Sequence, residues 1–195
     1  TWDVSKVTTL AGTFGLTRLF NSDLSKWNVS KITSLEKTFY SAQSFTSDLS
    51  KWDVSKVITL RDTFSYSSNC ILFASFLNCP HVFNSDLSKW DVSKVESFSN
   101  TFHGAKVFNS DLSNWDVSKA NDLQFAFNTA IAFNSDISKW DVAKVLNMQF
   151  LLSYAAAFNQ GVWCSPSWNK FIAEPLSLGN RILCCNPGTF LNDSD

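Results

Sequence analysis

One phrase repeated six times limits what this chain can fold into. Trp2, Trp27, Trp52, Trp90, Trp115 and Trp140 open successive copies at spacings of 25, 25, 38, 25 and 25 residues. The shared wording is Trp-Asp-Val-Ser-Lys-Val-x-x-Leu-x-x-Thr-Phe-x-x-Ala-x-x-Phe-Asn-Ser-Asp-Leu-Ser-Lys. The longer copy carries 13 extra residues (38 minus 25) between Phe64 and Phe83, among them Cys70 and Cys79. A unit of 25 residues is too short to bury its own apolar side. Copies of such a unit reach stability by stacking, so that each covers the next.

Two periods run through the phrase. After Ser-Lys, apolar residues fall at i, i+3 and i+7, as in Val7/Leu10/Phe14, Ile32/Leu35/Phe39, Val57/Leu60/Phe64 and Val95/Phe98/Phe102. This spacing predicts one face of a helix of two to three turns. The preceding serine (Ser5, Ser30, Ser55, Ser93 or Ser118) is placed to cap it. The Leu-Ser-Lys-Trp-Asp-Val segment alternates at its end, with Trp and Val to one side and Asp to the other, which predicts a short strand. The expected fold class is therefore an α/β repeat solenoid, leucine-rich-repeat-like. It would have about six coils of 25 residues, each a short strand plus a short helix, and a parallel sheet on one face. Its expected divisions are a solenoid over 1–161 with an insertion at 65–82, a C-terminal cap over 162–183, and the start of a cysteine-rich segment over 184–195.

The wording of the phrase, most cleanly at 83–95 as Phe-Asn-Ser-Asp-Leu-Ser-Lys-Trp-Asp-Val-Ser-Lys-Val, resembles the DUF285 repeat, a relative of leucine-rich and BspA-like repeats. The likeness spans about residues 1–160 and looks nearest to algal versions. It implies a leucine-rich-repeat-like solenoid, with family members on mycoplasma and Gram-positive cell surfaces and in marine algae. It brings no catalytic residues with it. The Cys184-Cys185-Asn186-Pro187-Gly188-Thr189-Phe190 stretch resembles the opening of small Cys-Pro-Gly-Thr-Phe repeats of extracellular proteins, which would have the natural chain continue past Asp195.

Charge separates function classes further. Sixteen basic and 17 acidic residues leave a net charge of −1, which gives no electrostatic footprint for nucleic acid. No apolar run reaches the ~18 residues of a membrane span. The two histidines, His81 and His103, fall in no zinc spacing, and neither a phosphate-binding Gly loop nor a Ser-His-Asp pattern is present. The expectation is a chain without enzyme activity, metal or cofactor.

Stacking would draw Asp3, Asn28, Asp53, Asp91, Asp116 and Asp141 into one line and Asp23, Asp48, Asp86, Asp111 and Asp136 into another. Such carboxylates could hold calcium. The wording favours neutralisation by the neighbouring lysine columns, together with Asx-turns. The Asn21, Asn84, Asn109, Asn134 and Asn159 positions should form an internal amide ladder, interrupted by Thr46. The repeat tryptophans should face the core.

Candidate partner contacts are thus Asp53, Asp91, Asp116, Asp141 and the insertion's His81, with Trp163 and Trp168 as exposed aromatics outside the repeat. Cys70 and Cys79 are a candidate disulfide pair, and Asn28, in Asn28-Val29-Ser30, is a candidate glycosylation acceptor. The expected function is recognition of a protein or glycan partner, in an extracellular or cell-surface setting. The alternative is a structural or linker subunit of a larger assembly, for example in an algal organelle.

Overall fold

A computed structural model describes residues 2–66, 82–162 and 168 of the chain. Its repeats stack in sequence order. Parallel bridges join Thr9 to Ser34, Ser34 to Thr59, Thr59 to Ser97, Ser97 to Asp122 and Asp122 to Asn147, one bridging residue per coil. Coils 1 to 6 are numbered here from their tryptophans: 2–26, 27–51, 52–89, 90–114, 115–139 and 140–161.

The predicted α/β architecture is not what forms. Among the described residues there is almost no helix, and the isolated bridges never lengthen into a sheet. The segment expected to be helical is instead a chain of overlapping tight turns. In coil 2 the amides of Thr38, Tyr40, Ala42 and Phe45 donate to the carbonyls of Leu35, Lys37, Phe39 and Ala42, three residues back. The amides between them point along the stack: Leu35, Lys37, Phe39 and Ser41 donate to the carbonyls of Thr59, Arg61, Thr63 and Ser65 in coil 3. An α-helix needs every amide to reach the carbonyl four residues earlier within its own segment. Here alternate amides are committed to the next coil, so a helix cannot propagate.

Side-chain period could not reveal this. Leu35, Thr38, Phe39 and Ala42 are all buried, at i, i+3, i+4 and i+7, as on a helix face. The backbone differs at one corner. Gly12, Lys37, Asp62, Asn100, Phe125 and Phe150 have φ between 55° and 67°. Each is the third residue of a hydrogen-bonded four-residue turn, which makes that turn type II.

The predicted strand is likewise a pair of turns. Trp27 donates to the Leu24 carbonyl and Ile32 to the Val29 carbonyl, each at i+3, and every later coil does the same. The alternation is nonetheless real. Trp52, Trp90, Trp115 and Trp140 and the following valines are buried, whereas the intervening Asp is exposed. The backbone pairing sits instead on the Thr9-to-Asn147 line, within the segment assigned to the helix.

Aromatic columns fill the interior. Phe14, Phe39, Phe64, Phe102 and Phe127 stack coil on coil at 5.5–5.6 Å between ring centroids. Phe20, Phe45, Phe83, Phe108, Phe133 and Phe158 form a second column at 6.0–6.4 Å. The two columns touch within each coil. Phe64 and Phe83, 19 positions apart, sit at 4.1 Å, the same distance as Phe39 and Phe45, which are six apart. The additional residues of coil 3 therefore leave its interior in register.

Polar groups inside the stack are matched between neighbours. The indole N–H of Trp52, Trp90, Trp115 and Trp140 donates to the carbonyl of Leu24, Leu49, Leu87 and Leu112, each three residues before the tryptophan that opens the preceding coil. The amides of those leucines donate in turn to the hydroxyls of Ser47, Ser85, Ser110 and Ser135 in the coil after. Thr38, Thr63 and Thr101 are fully buried, and each hydroxyl reaches one carbonyl in its own coil and one in the coil before. A buried polar group without such a partner costs about 1–3 kcal/mol, so these serines, threonines and tryptophans fix the register of the stack as well as filling it.

Candidate functional site

Two exposed features repeat from coil to coil: a row of Asx-turns and the φ-positive corners. The first is built by the Trp-Asp-Val-Ser wording. Asp53 Oδ1 accepts the Ser55 amide at 3.1 Å and its hydroxyl at 2.6 Å. Asp91 and Asp116 accept the amides of Ser93 and Ser118, and Asp141 that of Ala143. Asn28 does the same with the amide and hydroxyl of Ser30. All of these acceptors are exposed. Five more turns use Asp23, Asp48, Asp86, Asp111 and Asp136.

These bonds set the electrostatics. The hydroxyl and then the amide of Ser55 hold the Asp53 carboxyl below its ordinary range, and Ser118 acts likewise on Asp116. The amide and then the hydroxyl of Ser88 lower Asp86. The lysine columns contribute at longer range, because the single ion pair among the described residues is Arg61–Asp62 at 3.7 Å. The carboxylates are thus satisfied by the backbone and by serine hydroxyls, with lysine in a lesser part than the sequence implied. No group of three or more His, Cys, Asp or Glu able to hold a metal occurs among the described residues.

The asparagine ladder forms, but on the surface. Asn84 Oδ1 accepts the Asn109 amide, Asn109 that of Asn134 and Asn134 that of Asn159, at 2.8–3.0 Å. Asn21 Oδ1 accepts the Thr46 amide at 2.8 Å. Asn84 and Asn109 are exposed, so the expected interior position is corrected. The Phe beside each Asn takes the buried place, and alternation turns the amide outward.

The φ-positive corner changes character along the stack. In coils 2 and 3 the second and third residues after the bridging residue are charged: Glu36-Lys37 and then Arg61-Asp62. Coils 4, 5 and 6 carry Ser99-Asn100, Gln124-Phe125 and Gln149-Phe150. The Phe125 and Phe150 rings stack at 4.9 Å, 8° from parallel, and His103 meets Phe125 edge-on at 6.1 Å. Phe150 is 37 % exposed. Burial pushes the Asp62 carboxyl up and the His103 imidazole down. The nearby Asp62 charge and a hydrogen bond with Asn128 partly offset the effect on His103.

The sequence-predicted residues divide as follows. Asp53, Asp91, Asp116 and Asp141 lie along one exposed row, one per coil, and Asn28 lies in that row. Trp168 is fully buried in the same cluster as Leu152 and Val162, so it is no exposed contact; its apolar mass goes into covering the stack. His81, Trp163, Cys70 and Cys79 lie outside the described residues, as do most of the insertion, the cap beyond 162 apart from Trp168, and the 184–195 segment. The corner column was not foreseen. Aligning the repeats would have exposed it: Gly12, Asp62 and Asn100 are residues that favour positive φ, and phenylalanine in line with them is anomalous.

Among the described residues no helix is long and apolar enough to cross a membrane. A family model described as "Mycoplasma protein of unknown function, DUF285" matches residues 1–71 and again 70–172. No curated protein and no solved structure matches the chain.

Proposed function

The chain belongs to the DUF285 family, and from that premise we propose that it is a non-catalytic recognition module for a protein or glycan partner, working at a cell surface or after secretion. The observation that carries the reading is the Asx row. It presents Asp53, Asp91, Asp116 and Asp141 one per coil, each pinned at its own turn by a backbone hydrogen bond. Pinned side chains lose little entropy on binding, and stacked repeats offer them over an extended surface. The balanced overall charge leaves the choice of partner to local pattern rather than bulk attraction.

The test is a binding array of immobilised glycans and extracellular-matrix proteins probed with labelled chain. Saturable binding to at least one ligand, competed by unlabelled chain and leaving the ligand chemically intact, is the expected result. Absence of saturable binding across both ligand classes would sink the proposal, as would turnover of the captured ligand.

A further inference from the structure

Two side chains of coils 3 and 4 depart from the rule that polar groups in this stack are matched. His103 Nδ1 is buried and has no hydrogen-bond partner. The Asp62 side chain is 13 % exposed, and its carboxylate accepts no hydrogen bond among the described residues. Its ion pair with Arg61, at 3.7 Å, is too long to be one. Every other described aspartate accepts the amide two residues further on. Asp62 sits instead at a φ-positive corner, and its charge acts on His103 of the next coil.

The backbone around His103 is fixed. Its amide donates to the Asn100 carbonyl, its carbonyl accepts the Tyr66 amide, and the Gly104 amide donates to the Asn128 carbonyl. Gly104 leaves little slack, since an added Cβ would lie 3.3 Å from the Cβ of Tyr66. A change of charge on the ring must therefore be answered by side chains. Coil 5 presents Asn128, hydrogen-bonded to the ring, and Phe125, which meets it edge-on at 6.1 Å. Neither is ionisable. Coil 3 presents Asp62, whose own charged surroundings are Arg61 and, from coil 2, Lys37 and Glu36. A proton on Nδ1 creates a buried N–H donor without an acceptor, which is a costly state. The acceptor without a donor is Asp62. Burial resists that proton, and the Asp62 charge favours it.

We propose that these residues form an acid-operated switch, in which the protonated His103 ring turns from Phe125 and donates its Nδ1–H to the Asp62 carboxylate. The proton comes from solvent, and no bond other than the N–H bond forms. The Phe125–Phe150 pair, stacked at 4.9 Å, then loses its edge-on neighbour. The corner of coils 5 and 6 thus responds to pH while the stack stays folded.

The experiment is an NMR titration of the whole chain from about pH 7.5 to about pH 4.5, the range in which an imidazole changes charge. It follows the His103 imidazole and the Phe125 and Phe150 rings, with the Trp115 indole N–H reporting the intact stack. His103→Asn assigns the imidazole signal. Both phenylalanine rings should shift with the His103 midpoint, and the Trp115 signal should hold. Asp62→Asn removes the carboxylate and keeps the corner, because Asn100 occupies the same place at φ 56°. It should lower the His103 midpoint by about one pH unit. Ring shifts that do not follow His103 overturn the switch, and so does a midpoint unmoved by Asp62→Asn. Unfolding of the stack before His103 takes up its proton overturns it as well, leaving only the stability effect of a buried imidazole.

Discussion

The indole N–H of Trp115 donates to the carbonyl oxygen of Leu87, 28 positions earlier, at 3.0 Å. The same carbonyl accepts the backbone amide of Trp90 at 3.0 Å. A single leucine carbonyl thereby closes the turn that leads into coil 4 and receives the tryptophan ring of coil 5. Trp115→Phe removes the second of these bonds and part of the ring's volume. It should cost about 1–3 kcal/mol in chemical denaturation. Trp2→Phe, at a ring 75 % exposed, should stay within about 0.5 kcal/mol. Equal losses at the two sites would show that the inter-coil bond contributes nothing.

The buried threonines offer a cleaner polar test. Thr63→Val keeps the shape of the side chain and removes a hydroxyl that reaches the Leu60 carbonyl at 2.8 Å and the Leu35 carbonyl at 2.9 Å. The expected loss is about 1–2 kcal/mol, read from the urea midpoint at unchanged slope. The same position in coil 5 is Ala126, so a hydroxyl is not needed for packing there. A neutral result at Thr63 would mean that packing alone holds the register.

Asn and Asp should be interchangeable in the exposed row. Asp116→Asn keeps an acceptor for the Ser118 amide, as Asn28 does for Ser30, and should change the melting temperature little. Asp116→Ala removes the acceptor and should cost about 1 kcal/mol. If Asp116→Asn proves as damaging as Asp116→Ala, charge and not the turn would be the stabilising element.

The two φ-positive glycines should respond unequally. Gly12, at φ 67°, has open space around the position of a Cβ, so Gly12→Ala should cost only the backbone penalty of about 1 kcal/mol. Gly104, at φ 73°, would set its new Cβ 3.3 Å from the Cβ of Tyr66, and Gly104→Ala should cost distinctly more. Thermal denaturation of the two variants decides it, and a reversed order would refute the crowding at Gly104.

Acid should weaken the fold in two stages. Burial lowers the His103 imidazole from 6.5, so the unfolded chain takes up that proton first and stability declines as pH falls below 6.5 toward the folded value. Asp53, Asp86, Asp111 and Asp116 are held below 3.8 by their serine partners. Their contribution is complete above 3.8 and disappears as pH falls through their folded values. Asp62, raised by burial, works in the opposite sense and favours the fold at the acid end of its range. His103→Asn should flatten the first stage in a pH series of urea midpoints and leave the second in place. An unaltered first stage would remove His103 as its cause.

The repeat, its register and the inward residues were legible in the sequence because they depend only on spacing. Trp52 and Val54 face inward and Asp53 outward, as their alternation requires. Helix and strand were misread because Leu35, Thr38, Phe39 and Ala42 give the same burial period in a run of type II turns as in a helix. The deciding information lies in which amides bond within a coil and which bond along the stack. Only the corner residues hint at that choice. Lys37 masks the signal in coil 2, and Phe125 and Phe150 mask it in coils 5 and 6, since none of the three favours positive φ. The aromatic corner itself was missed for the same reason: phenylalanine in an apolar-rich repeat passes for core.

The register bonds also bear on how such a gene can change. The amides of Phe102 and Phe127 donate to Ala126 and Leu151, and those of Asn109 and Asn134 to the side chains of Asn84 and Asn109, so neighbouring coils meet through equivalent positions. Duplication or loss of one whole repeat by unequal recombination would regenerate the same junction between the coils on either side. A shift by another length inside the paired segments would break these bonds, whereas the 13 extra residues of coil 3 fall between Phe64 and Phe83 and leave both in register. Selection can therefore lengthen or shorten the chain in single-repeat steps, and each added coil brings a fresh set of corner residues on a backbone that is already compatible.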